Sequence, residues 1–131
     1  MKKENRKFFV LFLILTVNLS FGAASEDQKP VIPVVDGHLG SCSAEFTVKG
    51  AGESPLYDAK IDVSLKYGFL GLRKMSLQVG TNADGQARVA GLPDDEGKTY
   101  RFVITRGQLS KSVLMRTSDG CNAVFQITLD E

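Results

Sequence analysis

From Ala44 onward, apolar and polar residues alternate with period two, and the alternation is broken at short intervals by Gly, Pro, Asp and Asn. Ala44, Phe46 and Val48 alternate with Glu45, Thr47 and Lys49, and Ala59, Ile61, Val63 and Leu65 with Lys60, Asp62, Ser64 and Lys66. Such a segment is a strand with one face in a core and the other in water. The same pattern recurs through Met75, Leu77 and Val79, through Ala87 and Val89, and through Tyr100, Phe102 and Ile104. It is weaker in Lys111 to Arg116, which carries Val113 and Met115, and returns in Ala123, Phe125, Ile127 and Leu129. No helical period competes with it after residue 24. Seven short strands set apart by turn residues predict an all-β chain, a seven-stranded Greek-key antiparallel β-sandwich.

The stretch Thr81 to Pro93, TNADGQARVAGLP, is the strongest local signal. Asp84-Gly85 between alternating segments is the signature of a two-residue hairpin turn, because both residues tolerate positive φ. Gly91, Leu92 and Pro93 predict a second turn.

The first 24 residues read differently. Lys2, Lys3, Arg6 and Lys7 precede an unbroken apolar run from Phe8 to Val17, and Ser20, Gly22, Ala23 and Ala24 follow it. Basic, apolar and small segments in that order predict a Sec-type signal peptide over residues 1–24. Even Phe8 to Phe21 falls short of the roughly 20 residues that span a bilayer. Cleavage after Ala24 removes four of the sixteen Lys and Arg and one of the fifteen Asp and Glu, leaving twelve against fourteen, a net charge of −2. That balance excludes the electrostatic footprint of a nucleic-acid binder or a polybasic membrane binder, so neither nucleic acid nor stable membrane insertion is expected of the mature chain. Residues 25–41, with Pro30, Pro33, Gly37 and Gly40 and no period, predict an extended linker, and residues 42–131 a single domain.

The two cysteines, Cys42 and Cys121, open two similar strands. Cys42, Ala44, Phe46 and Val48 recur as Cys121, Ala123, Phe125 and Ile127 at identical spacing, so within each strand these residues share a face. If the two strands lie side by side and parallel, the cysteines start at the same end with the same facing. An exported chain with an even pair of cysteines then predicts a Cys42–Cys121 disulfide, which in the chain-entropy treatment stabilises by roughly 4 to 5 kcal/mol.

Ser54-Pro55-Leu56, Asp58-Ala59-Lys60-Ile61-Asp62-Val63, Thr81 to Gly85, Gly91-Leu92-Pro93 and Thr99-Tyr100-Arg101-Phe102 together resemble the carboxypeptidase regulatory-like domain. The resemblance runs from about Cys42 to Leu129. It implies a transthyretin-like, or prealbumin-like, seven-strand sandwich. Asp58 stands where that family commonly has glycine before alanine, and the YGFLGLRK segment is longer than in its simplest members. The shared motifs are turns and core positions, so they imply a fold more than a function. The fold also hosts hydroxyisourate hydrolases, which use histidines, an arginine and a C-terminal Tyr-Arg-Gly-Ser. This sequence has Ile127-Thr128-Leu129-Asp130-Glu131 at that place, so the hydrolase activity is not carried over. The zinc-bearing peptidase domain has no counterpart here.

Chemistry of a catalytic kind needs a nucleophile or base set against partners. The single histidine, His38, falls in the expected linker, and the cysteines are assigned to a bridge. No catalytic residue, cofactor or metal ligand is expected. Asp94, Asp95 and Glu96 supply oxygen atoms of the kind calcium takes, with Asp84 or Asp119 as further donors, but three successive acids read first as a solvated loop.

The candidate site is the irregular stretch from Tyr67 to Lys74. Phe69, Leu70 and Leu72 sit in a loop hinged at Gly68 and Gly71 and flanked by Lys66, Arg73 and Lys74. Two readings follow. Either the apolar residues form an exposed partner-binding patch with a cationic rim, or they fold back over one end of the sandwich. The function expected is that of an exported, non-catalytic module binding or supporting a protein at the bacterial cell envelope or outside the cell. A carbohydrate-binding module is the alternative, weakened by the absence of Trp and the presence of only three Tyr. A small hydrolase of the same fold is the third and weakest.

Overall fold

The computed structural model describes residues 31–130 of the chain. The expected signal peptide lies outside them, as does the first part of the expected linker.

Among the described residues eight strands form two four-stranded sheets. They are β1 (Val34–Asp36), β2 (Cys42–Lys49), β3 (Lys60–Tyr67), β4 (Arg73–Gly80), β5 (Gln86–Leu92), β6 (Thr99–Arg106), β7 (Leu109–Arg116) and β8 (Asn122–Thr128). One sheet has the order β1-β5-β2-β8 and the other β4-β3-β6-β7. Among the described residues, β3–β4 and β6–β7 are the hairpins within a sheet. The connections from β2 to β3, β4 to β5, β5 to β6 and β7 to β8 cross from one sheet to the other, as in a Greek-key sandwich.

Alternation places the core. Phe46, Ile61, Leu65, Leu92, Phe102 and Ile104 are fully buried between the sheets. Each such side chain contributes roughly 1.5 to 3 kcal/mol through removal from water. Phe46 meets Phe102 edge-on at 5.0 Å between centroids and stacks with Phe125 at 5.3 Å, so an aromatic trio spans both sheets.

β2 and β8 pair in parallel with Ala44 opposite Ala123, Phe46 opposite Phe125 and Val48 opposite Ile127. The repeated Cys-Ala-Phe motif is therefore a register mark. The Cys42–Cys121 disulfide follows from it, with Cα atoms 4.7 Å apart across a sequence separation of 79.

The segment expected to be an extended linker contributes a strand instead. Val34–Asp36 adds to the sheet as β1, parallel to β5, with Val34 opposite Arg88 and Asp36 opposite Ala90. Backbone bonds from Arg88 N to Pro33 O (2.9 Å) and from Leu39 N to Gly91 O (2.8 Å) extend the tie on both sides. Three residues after a proline carry no period of their own, so only a long-range partner makes them a strand.

A tight turn is present, but it is centred one residue earlier than expected, on Ala83 and Asp84, with Gly85 N donating to Asn82 O at 2.9 Å and only Gly85 at positive φ, and it does not close a hairpin, because β4 and β5 belong to different sheets. Asn82 Oδ1 accepts from Asp84 N and Gln86 N, both at 2.9 Å, which tightens the loop into a corner. Gly85 has φ 77°, and a side chain there would collide with the carbonyl of Val48. Thr81 anchors the corner from inside: its buried hydroxyl accepts from Ala59 N (2.9 Å) and donates to Leu56 O (2.6 Å). Gly91, expected in a second turn, lies within β5, which continues to Leu92. The β2–β5 register slips by one residue there, from Cys42 opposite Leu92 to Ala44 opposite Val89, and Gly91 takes φ 70° in the bulge.

Candidate functional site

The β3–β4 hairpin is paired without interruption from Lys60 opposite Gly80 to Tyr67 opposite Arg73. Five residues, 68–72, then make the tip. Two successive backbone turns, kinked at Leu70, are closed by Gly71 N to Gly68 O (3.0 Å) and Leu72 N to Phe69 O (3.2 Å). Gly68, Leu70 and Gly71 all have positive φ, 83°, 57° and 66°. For the two glycines this conformation is easy; for Leu70 it is strained by roughly 1 to 2 kcal/mol.

That backbone turns the apolar side chains away from the core. Phe69, Leu70 and Leu72 are 80%, 79% and 74% exposed, which overturns the alternative that they fold back and cover the end of the sandwich. Around them Lys66, Arg73 and Lys74 are exposed, and Tyr67 is half-buried at the base. The Arg73 stem runs beside Gly68, and Lys98 Nζ reaches Lys66 O at 3.3 Å from the next loop. The sequence-predicted residues thus converge on one protruding apolar tip with a cationic collar.

The neighbouring loop at this end is tied down. Asp94 accepts from Ser41 Oγ (2.8 Å) and from Ser41 N (3.4 Å), and these bonds hold its carboxyl below the usual carboxylate range. Tyr100 donates to Pro93 O at 2.6 Å. Burial, with added repulsion from Asp95 and Asp94, pushes its phenol up to about 12. Thr117 Oγ1 donates to Asp95 O and accepts from Lys98 N, both at 2.9 Å. The acid run is in this way a braced turn. Among the described residues no group of three or more His, Cys, Asp or Glu side chains is placed to hold a metal ion, and no helix is long and apolar enough to cross a membrane. His38 is exposed, with φ 58° and its ring 3.5 Å from Asp36 Oδ1.

The opposite end of the sandwich carries no local sequence signal. An open cleft of about 510 Å³ lies there, lined by Leu56, Leu109 and Leu129 with Arg106 and Asp130 at its edge. Arg106 Nε donates to Tyr57 O at 2.8 Å. Its lining comes from four separate chain segments, so no local motif announces it.

The sandwich recurs in solved structures. Catechol 1,2-dioxygenase from Acinetobacter sp. ADP1 matches with TM-score 0.53 at 11% identity, over 76% of this chain and 57% of that one. The dioxygenase domain of a dioxygenase and carbohydrate-binding protein fusion from Streptomyces sp. SirexAA-E matches with TM-score 0.50 at 15% identity, over 88% of this chain and 97% of that one. Catechol 1,2-dioxygenase from Pseudomonas arvilla C-1 matches with TM-score 0.51 at 13% identity, over 76% and 58%. The chain spans less than three fifths of the length of the two catechol dioxygenases. At these identities the likeness is one of fold alone. No protein-family model matches the sequence, and no curated protein sequence does.

Proposed function

We propose that this chain is an exported, non-catalytic β-sandwich of the carboxypeptidase regulatory-like kind, which binds a protein partner at the cell envelope or outside the cell through residues 67–74. The observation that carries the reading is the tip itself: three large apolar side chains of one five-residue loop held in water by a backbone that strains Leu70 to do so. Burying each of them in a partner is worth roughly 1.5 to 3 kcal/mol before the cost of association. Arg73, Lys74 and Lys66 form a rim that favours an acidic surround on the partner. Export is supported by the basic, apolar and small segments of residues 1–24 and by the disulfide. The non-catalytic reading rests on the solitary, exposed His38 and on cysteines engaged with each other.

The test is affinity capture from envelope and culture fluid with the oxidised mature chain, set against a Phe69→Ser/Leu70→Ser/Leu72→Ser variant. A partner retained by the first and lost by the second is expected, with both chains unfolding at the same denaturant concentration. Equal retention of the same partner by both would remove the tip from the interface.

A further inference from the structure

Independently of the tip, the geometry of β8 points to self-association, and we propose that two copies of this chain pair antiparallel through their β8 edges. β8 is the last strand of its sheet, next to β2 on one side only. Ser43 N donates to Cys121 O at 2.9 Å and Leu129 N to Lys49 O at 2.7 Å, so the odd-numbered residues of β8 turn their backbone groups toward β2. Asn122, Val124, Gln126 and Thr128 therefore turn theirs outward. Lys111 Nζ, reaching over from β7, donates to Thr128 O at 2.9 Å and covers that end. The backbone N–H and C=O of Asn122, Val124 and Gln126 are left as a short ladder with no described strand beside it.

Edge strands ordinarily carry a device against pairing: shortness, a charge or a proline. Of the four edges here, β1 has three residues including Asp36, β4 carries Arg73 and Lys74, and β7 carries Lys111 and Arg116. β8 runs for seven residues, Asn-Ala-Val-Phe-Gln-Ile-Thr, with no charge and no proline.

The occupant is a second β8 because the strand is complementary to itself. An antiparallel pair centred on Val124 sets Val124 opposite its own copy, with both backbone hydrogen bonds exchanged. Asn122 then faces Gln126 on the outer surface, amide to amide. Ala123 faces Phe125 on the inner surface as a close, non-hydrogen-bonded pair in which a small residue meets a large one. No like charges meet. Val124, 69% exposed on the outer face, and Phe125, half-buried at the rim of the core, are both covered by the pairing. The result is one continuous eight-stranded sheet with two-fold symmetry.

Sedimentation of the oxidised mature chain over a concentration series tests this. The expected mass rises to that of two chains, and backbone amides of Val124 and Gln126 slow their hydrogen exchange as concentration rises. Val124→Lys, which sets two cations directly opposite each other, is expected to stay at one chain throughout, while Val124→Thr still pairs. A wild-type chain that stays monomeric, as it would if this edge took an extended peptide from another protein, overturns the proposal. So does a dimer in which the Val124 and Gln126 amides exchange as fast as in dilute solution, a readout that does not depend on any variant folding.

Discussion

Phe46 and Phe125 stand opposite each other in the parallel β2–β8 pair, their rings 5.3 Å apart and inclined by 20°. Phe102 meets both rings from the other sheet, Phe46 at 5.0 Å and Phe125 at 6.1 Å, so the trio joins the two layers. Phe46 is 1% exposed, whereas Phe125 is only partly buried. Phe46→Ala is expected to cost about 3 to 5 kcal/mol in urea unfolding, through lost burial and an uncollapsed cavity. Phe125→Ala, at the open rim, is expected to cost clearly less. A double-mutant cycle should return a coupling of about 0.5 to 1.5 kcal/mol for the stacked pair.

The Cys42–Cys121 bridge joins the starts of the same two strands and closes a separation of 79 residues. A Cys42→Ala/Cys121→Ala variant is expected to lose about 4 to 5 kcal/mol by the chain-entropy argument. Because the aromatic register lies downstream of the bridge, the variant should keep the same fold. Unfolding of the oxidised chain and of the variant under identical denaturant conditions measures the difference, and an unchanged midpoint would contradict it.

Thr81 directly follows β4 and begins the crossing to β5, and its hydroxyl serves two backbone groups at once. In Thr81→Val the shape is kept while the buried Ala59 N–H loses its acceptor and Leu56 C=O its donor. Leaving such groups unpaired is expected to cost roughly 2 to 3 kcal/mol. Hydrogen exchange at the Ala59 amide should accelerate by more than that of its β3 neighbours, which locates the damage at the corner.

The features of this fold differ in how far the sequence makes them legible. The Cys-Ala-Phe repeat announced both register and disulfide because identical spacing on parallel neighbours is a local signal of a non-local pairing. Asp84-Gly85 announced a turn but not its destination: the contacts of Thr81 that send the chain to the other sheet are with residues 22 and 25 positions away. Val34–Asp36 was silent, since three residues after Pro33 become a strand only where β5 offers an edge. At the tip, Gly68 and Gly71 flagged an irregular loop, while the direction in which Phe69, Leu70 and Leu72 point depends on the φ of Leu70, which no residue type there dictates.

Tyr100 gives the fold a defined alkaline response. Its phenol is raised to about 12 in the folded chain, against an ordinary value near 10, chiefly by burial and then by Asp95 and Asp94. A raised folded-state value means that the neutral group stabilises the fold fully below pH ~10, and that this stabilisation is lost as the pH rises toward ~12. At pH 7, Tyr100→Phe should cost roughly 1 to 2 kcal/mol, because Pro93 O loses its buried donor. Between pH ~10 and ~12 the wild-type chain should surrender that advantage, so the two unfolding curves converge. Parallel curves through that window would show that the phenol does not remain neutral in the fold.

Leu70 is where stability and the proposed function pull apart. Its φ of 57° is a left-handed conformation that costs a branched apolar residue roughly 1 kcal/mol or more, and its side chain, 79% exposed, recovers almost none of this by packing. Asparagine tolerates the same backbone, so Leu70→Asn is expected to raise the unfolding free energy by about 0.5 to 1 kcal/mol. If the tip binds through its apolar surface, the same substitution should weaken capture of the partner, since one of three anchors becomes polar. Both measurements are made on one variant. A more stable chain that binds less well is the outcome expected when strain is retained for a contact outside the molecule; a more stable chain that binds as before would mean that Leu70 is not part of that contact.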